Sequence, residues 1–435
     1  MNPYVLAVKS MRHRLGSVVL TVCSLALGIA LLLGVERIRN EAKDGFTNTI
    51  SGTDLIVGAR SGSISLLLTS IFHIGHVTDN VSWETFQKVD RNPQVAWTIP
   101  LSLGDSHKGF PVLGTSNSYF KHYRYGSKQA LSFSKGGIFS GLYDAVLGAE
   151  VAEKLGYVIG QDIVVAHGSG AISFVEHSEN PFKVVGVLKP TGTPVDQTVH
   201  VMLEGIEAIH KNFDAGIEVH ESSNYSSQNK ATSLDDFETL LTEQQGEPDF
   251  TPTEITAFLV GMKSRADAVM LKSAINEHSA EALTGVIPGV ALAELWQVVS
   301  FVEKVLFIIS LLVLAISLSG LFTMLMLSFR ERRREMAILR SLGARPWHIV
   351  TLVLGESVVV SGMAIILGVA VVSLFVMLLR PYVQSHFGIV LEHSILSGTE
   401  LMMLGGVFCA GVLTALFPAW SCYRSSLSDG LTIKL

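Results

Sequence analysis

Histidine has the widest chemical reach in the middle of this 435-residue chain, where ten of its 14 copies stand: His73, His76, His107, His122, His167, His177, His200, His210, His220 and His278. His73 and His76 are three apart, a spacing that on a helix turns two imidazoles to one face, and neutral imidazole is a good Zn²⁺ ligand. Residues 36–304, which hold all ten, carry a net charge of −12 that would draw divalent cations. Scattered histidines without cysteines or a dense carboxylate cluster are also ordinary structural residues, so the pair is a speculative metal site and none is assigned. Cys23, Cys409 and Cys422 fall within or beside apolar runs and form no disulfide framework and no CxxC knuckle. There is no HExxH, no GxSxG and no GxGxxG with an acidic partner, so no catalytic residues are placed. GxxxxGK followed by Ser or Thr is missing too, so nothing cradles ATP phosphates and the chain itself is expected to bind no cofactor.

The elements that must position these residues are membrane elements. The chain is 48% hydrophobic and 16% charged, with a mean hydropathy of +0.42. Four runs lack any Asp, Glu, Lys or Arg: Leu15 to Val35, Val305 to Phe329, Ser357 to Leu379 and Leu401 to Tyr423. Each is long enough for a helix across a hydrocarbon core, which takes about 20 apolar residues. A soluble enzyme and a disordered chain are thereby excluded. Lys9, Arg12 and Arg14 precede the first run, and six arginines against two glutamates follow the second. Basic residues near span ends stay in the cytoplasm. The expected order is a cytoplasmic N-terminus (1–14), a first span (15–35), a periplasmic domain (36–304), a second span (305–329) and a cytoplasmic coupling region (330–350). A third span (351–379), a short outer loop (380–400), a fourth span (401–423) and a cytoplasmic tail (424–435) complete it. The first run is read as a span rather than a cleaved signal, because it exceeds a usual signal core and Glu36 onward continues as a charged helical stalk.

The outer region reads as α+β. Strands are expected at Asp54 to Val57, Val95 to Ile99, Phe110 to Leu113, Ala145 to Leu147, Asp162 to Ala166, Phe182 to Leu188 and Thr198 to Met202. Helices are expected at Ser82 to Val89, Ala149 to Leu155, Gly205 to Ile209 and Ala266 to His278. Residues 211 to 252 are polar and read as a loop-rich excursion. Trp296 stands where an interfacial anchor would, ahead of the second span. The apolar run Ile64 to Phe72 is either a flap for lipid or acylated cargo or a buried element. Ala26, Ala30 and Gly34, and again Gly406, Ala410 and Thr414, form rows of small residues that let helices approach closely. Glu356, near the cytoplasmic end of the third span, is either a buried functional charge or, as its place near the span end favours, one that snorkels or pairs with a nearby arginine.

The segment Phe329 to Ile349 is the most specific. Ile338, Leu339 and Leu342 share one helical face, Gly343 can end that helix in the left-handed conformation, and Pro346 can open the next. Arg334, Glu335, Met336, Ala337, Ile338, Leu339, Arg340, Ser341, Leu342, Gly343 and Ala344 resemble the mark between the second and third spans of MacB, FtsX and LolC-type ABC transporter permeases. In that family a coupling helix docks on the ATPase, and the corresponding residues here are Pro346, Trp347, His348 and Ile349.

A second resemblance lies outside the membrane. Phe139, Asp144, Val146, Leu147, Gly148, Val151, Ala152, Leu155, Gly156 and Gly160, followed by Phe182 to Val201, are similar to the MacB-type periplasmic core domain. Ser51 to Ala59 fits as its first strand. The resemblance implies an inner-membrane permease subunit without enzymatic activity, four spans and a large α+β periplasmic domain on helical stalks. ATP and Mg²⁺ would sit on a separate cytoplasmic ATPase. It also implies a second permease subunit, identical or not, and leaves room for a periplasmic adaptor or cargo carrier. No nucleic-acid partner is expected. The implied function is mechanotransmission that moves lipid, lipoprotein, drug, peptide or metal cargo. The size of the outer region favours the MacB and LolC type over the FtsX type. The alternatives are a scaffold that switches a periplasmic partner, or, because the TGTPVDQTVHV stretch with its histidines looks like such a branch of the family, a zinc-acquisition permease.

Overall fold

In the computed structural model, residues 15–75, 79–167, 175–176, 180–211, 250–341, 346–387 and 396–425 are described. They divide into a membrane unit, which includes residues up to Lys43, Val298–Val383 and the fourth long helix, and an inserted unit from Asp44 to Gln297.

Four helices are long and apolar enough to cross a membrane, with candidate spans in Leu15–Thr49, Pro288–Ser328, Val350–Arg380 and Gly398–Ser421. The first helix runs from Leu15 to Thr49 without a break, so the charged stretch after Val35 does continue it. The second runs 54 residues, from Pro288 to Ser341. At 1.5 Å per residue it is about 80 Å long, well beyond the roughly 30 Å of hydrocarbon it has to cross. The bundle core is aliphatic: Leu25, Ile29 and Leu33 of the first helix meet Leu314, Ala364, Val372, Leu404 and Val407. Ala26 and Ala30 are buried here. A Cβ on Gly368 would come within 3.0 Å of the Ala26 carbonyl, so the first small-residue row serves close packing within this chain. A Cβ on Gly406, in the second row, would meet nothing within 4 Å.

The inserted unit is built on a 12-stranded sheet. Its main path runs Leu283–Val286, Leu55–Ala59, Ala257–Met262, Val95–His107, Phe110–Thr115, Val199–Met202, Asp144–Leu147, Phe182–Leu188 and Phe133–Gly136. Neighbours are antiparallel except where Val199–Met202 meets Phe110–Thr115 and where Phe182–Leu188 meets Asp144–Leu147. The sheet is covered on both faces. Ile56, Ala257 and Leu259 face a core shared with Leu66, Leu67 and Ile71, while Leu55, Val57, Phe258 and Val260 face Phe86, Leu271 and Ile275. The run Ile64 to Phe72 is therefore no flap. It forms the helix Ser63–Phe72, with Leu66, Leu67, Ile71 and Phe72 buried, because its apolar stripe caps one face of the sheet.

Expected strands and helices of this domain recur, most with shifted ends, and three further strands join the main path: Phe133–Gly136, Ala257–Met262 and Leu283–Val286. Ala257–Met262 is buried at all six positions, so it lacks the alternation that marks a half-exposed strand. Trp296 packs edge-on against Phe46, with ring centroids 5.9 Å apart, and so ties the two stalk helices together within the inserted unit.

Candidate coupling segment and buried polar sites

Arg334, Glu335 and Arg340 lie in the last turns of the second helix, which ends at Ser341. Pro346 opens the third helix, Pro346–Phe387, where its missing N–H costs nothing. Trp347 follows with 67% of its surface exposed in the isolated chain. His348 occupies the same first turn. Gly343 and Ala344, with the expected left-handed cap, fall in 342–345, outside the described residues.

Inside the membrane unit a few hydroxyls tie helices to one another. The Ser317 hydroxyl is shared between the Val313 carbonyl of its own helix at 2.9 Å and the Ser24 carbonyl of the first helix at 3.0 Å, where Gly28 leaves room for it. The Ser357 hydroxyl donates to the Gly411 carbonyl at 2.8 Å. Glu356 is buried, not snorkelling, and accepts from Ser328 at 3.4 Å across the second and third helices. Among the described residues of the four apolar runs and the span mouths between them, it is the ionisable side chain set within the bundle rather than at its outer end.

In the inserted unit, the helix that holds the ISLLLTSIF run stops at Phe72, and His73 caps it in the left-handed conformation at φ 54°. His73 therefore stands past the helix whose spacing suggested a shared ion, and His76 lies outside the described residues. The His73 Nδ1 sits 3.1 Å from the Thr198 hydroxyl, which itself donates to the Pro194 carbonyl, so His73 is the donor of the pair. Burial holds its pKa down at about 4.

Two residues along the strand from Thr198, His200 is fully buried against Tyr119 and Phe120. Its Nδ1 donates to the Val146 carbonyl at 3.2 Å, and its Nε2 has no partner among the described residues. Burial is the main reason its pKa falls to about 3, with a smaller push from His73. Both imidazoles are neutral at physiological pH. Among the described residues no group of three or more His, Cys, Asp or Glu side chains assembles that could hold a metal. His200 was visible in the sequence only as one of ten outer histidines, since nothing local marks it as a core residue.

The TGTPVDQ turn just before it is knotted around Asp196. That carboxylate accepts from the backbone of Thr191 at 2.8 Å and of Gly192 at 2.7 Å, and from the Thr191 hydroxyl at 2.9 Å. Gly148 packs on the far side of the same turn, and its N–H donates to the Thr198 carbonyl at 2.9 Å. The two sequence blocks of the outer-domain resemblance thus meet in space.

Comparison with known proteins agrees with this architecture. The MacB-like periplasmic core domain model matches residues 18–275, and the FtsX-like permease C-terminal model matches residues 307–427. Among solved structures, the periplasmic region of MacB from Actinobacillus actinomycetemcomitans is similar at 10% identity and a TM-score of 0.32, over 57% of this chain and 94% of that one. The extracellular domain of the noncanonic ABC-type transporter YknZ from Gram-positive bacteria is similar at 12% identity and a TM-score of 0.29, over 54% and 99%. No curated protein matches. On the two family matches, which between them take in most of the inserted domain and most of the long helices, the chain belongs to the MacB/FtsX family of ABC transporter permeases, multi-pass proteins of the bacterial inner membrane.

Proposed function

We propose that this chain is the membrane subunit of a transporter whose separate ATPase docks at the 330–350 region, and that it carries nucleotide-driven movement to the inserted domain. The observation that supports this most is the unbroken helix Pro288–Ser341, which belongs at one end to the inserted unit and at the other to the arginine-rich segment. The helix has no break over its 54 residues, so one continuous hydrogen-bonded element joins the arginine-rich end to the inserted domain.

The spans favour work done outside the bilayer over a polar tunnel through it. Their described interiors hold Glu356 and otherwise mainly hydroxyls, most of them bonded to a carbonyl of their own helix, as Ser310 and Thr323 are, or of a neighbour, as Ser357 is, which gives a hydrophilic substrate little to follow. Cargo handled by the inserted domain on the periplasmic side fits that pattern, with lipid, lipoprotein, drug, peptide and metal as the classes to be distinguished. Partnership with a second permease copy follows the same reading.

The test is purification of the full-length chain from its own membranes. Recovery of an ABC ATPase in stoichiometric amount supports the proposal, and recovery of the chain with no ATPase under conditions that preserve membrane complexes refutes it. The periplasmic proteins recovered alongside separate a cargo carrier from a switched enzyme.

A further inference from the structure

We infer that Arg37, Arg39, Glu303 and Glu400 form a clamp at the end of the membrane unit from which the inserted domain emerges, and that the clamp makes the first, second and fourth helices move together. The inference rests on the coupling reading above and names positioning residues for it.

Arg37 and Arg39 follow the first apolar run directly, and their side chains reach two different helices. Arg37 donates through Nε to Glu400 Oε1 at 3.0 Å and through a terminal nitrogen to Oε2 at 3.4 Å, a bidentate pair on the first turn of the fourth helix. Arg39 donates to Glu303 of the second helix at 2.8 Å and to Glu36 of its own helix at 2.7 Å, and Asn40 donates to that same Glu36 oxygen at 3.1 Å. Glu400 is held from behind as well. It accepts from the Ser397 N–H at 2.8 Å while the Ser397 hydroxyl takes the Glu400 N–H at 3.2 Å, a reciprocal cap that fixes the start of the fourth helix.

Two features argue for a mechanical role beyond stability. The side chains of Arg37 and Glu400 are only 12% and 4% exposed, so the pair is shielded from salt, and ion pairs so buried are commonly replaceable by apolar residues without loss of stability. An apolar bundle lies immediately beneath it, with Leu33 and Leu404 in one cluster, so packing alone would close this end. What the ions add is direction and register. A bidentate guanidinium pair resists both sliding and rotation, and the first helix bearing both arginines continues without a break to Thr49. The first and second helices, at points within their length, and the start of the fourth are thus fixed to one another near where the inserted domain begins.

The test uses the full-length chain with its co-purified ATPase in lipid. Spin labels are placed on exposed positions at Ile38 and Thr399, and the distance between them is measured with and without ATP. One narrow distribution in both states is expected for the parent. In Arg37→Gln and Glu400→Gln, which keeps the Ser397 cap, it should broaden or shift with ATP, and ATP turnover should fall by about fivefold or more, the lower end of ordinary coupling between sites. The exchange of Arg37→Glu with Glu400→Arg should recover part of both, because it restores the pair and loses the cap. If either neutral variant fails to reach the membrane, Glu303→Gln and Arg39→Gln give the same reading for the second helix, with labels at Ile38 and Phe301. Parent-like distances and turnover in these variants, with the ATPase still bound, would overturn the clamp alone. Loss of the ATPase from the parent complex would overturn the coupling reading and the clamp with it.

Discussion

The N–H of Gly148 donates to the carbonyl of Thr198 across 50 residues of sequence, at 2.9 Å. It can do so because Gly148 has no side chain: a Cβ there would run into the carbonyls of Val195 and Asp196. Backbone cannot yield as a flexible side-chain tip does. Gly148→Ala is expected to destabilise the inserted domain by about 3 kcal/mol, the upper part of the usual overpacking range. Thermal unfolding of the full chain followed through its tryptophans checks this. Gly62→Ala, at an open position, serves as the comparison and should cost far less.

His73 and His200 supply a pH dependence whose sign is fixed. Burial lowers both folded pKa values, to about 4 and about 3, below the ordinary 6.5. Below pH 6.5 the unfolded chain takes up protons that the folded one refuses, so stability falls as pH drops. Each histidine should cost about a factor of ten in the folded-to-unfolded ratio per pH unit, from pH 6.5 down to about 4 for both and to about 3 for His200 alone. His200→Phe, which suits the aromatic surroundings, should remove the His200 share of that slope. Denaturant unfolding at pH 7.5, 6 and 5 measures it, and equal slopes in parent and variant would contradict the burial argument.

Much of this was legible in the sequence, for physical reasons. Span lengths are set by the bilayer, and the glycines of the outer-domain motif are set by backbone: Gly148 by close approach, Gly156 by its left-handed helix cap at φ 67°. What escaped has equally definite causes. Ala257–Met262 is buried on both faces and so has no strand periodicity. The second helix reads as stalk, span and basic segment because its surroundings change along its length, although the backbone does not. Arg37 and Glu400 are 363 positions apart, and the one local signal was the Ser397 and Glu400 capping pair. The His73 and His76 spacing presumed a helix that ends at Phe72.

Sidedness follows from the basic segments and is open to direct labelling. A single cysteine at Gln228, in a variant lacking Cys23, Cys409 and Cys422, should react with a membrane-impermeant maleimide in cells whose inner membrane is intact. A cysteine at Ser341 should react only after that membrane is opened. The reverse pattern would invert the topology.

The central claim is that the region between the second and third helices receives the movement of an ATPase. Its most direct measurement is ATP turnover by the complex reconstituted in lipid, with Glu335→Arg, Arg340→Glu and Gly343→Pro compared with the parent. The second helix ends at Ser341 and the third begins at Pro346, and the left-handed cap expected from the sequence at Gly343 is one that proline can neither adopt nor supply with an N–H. All three variants should reach the membrane, and turnover or ATPase retention should fall by about fivefold or more, most in Gly343→Pro. Unchanged ATPase binding and unchanged turnover in all three would contradict the account.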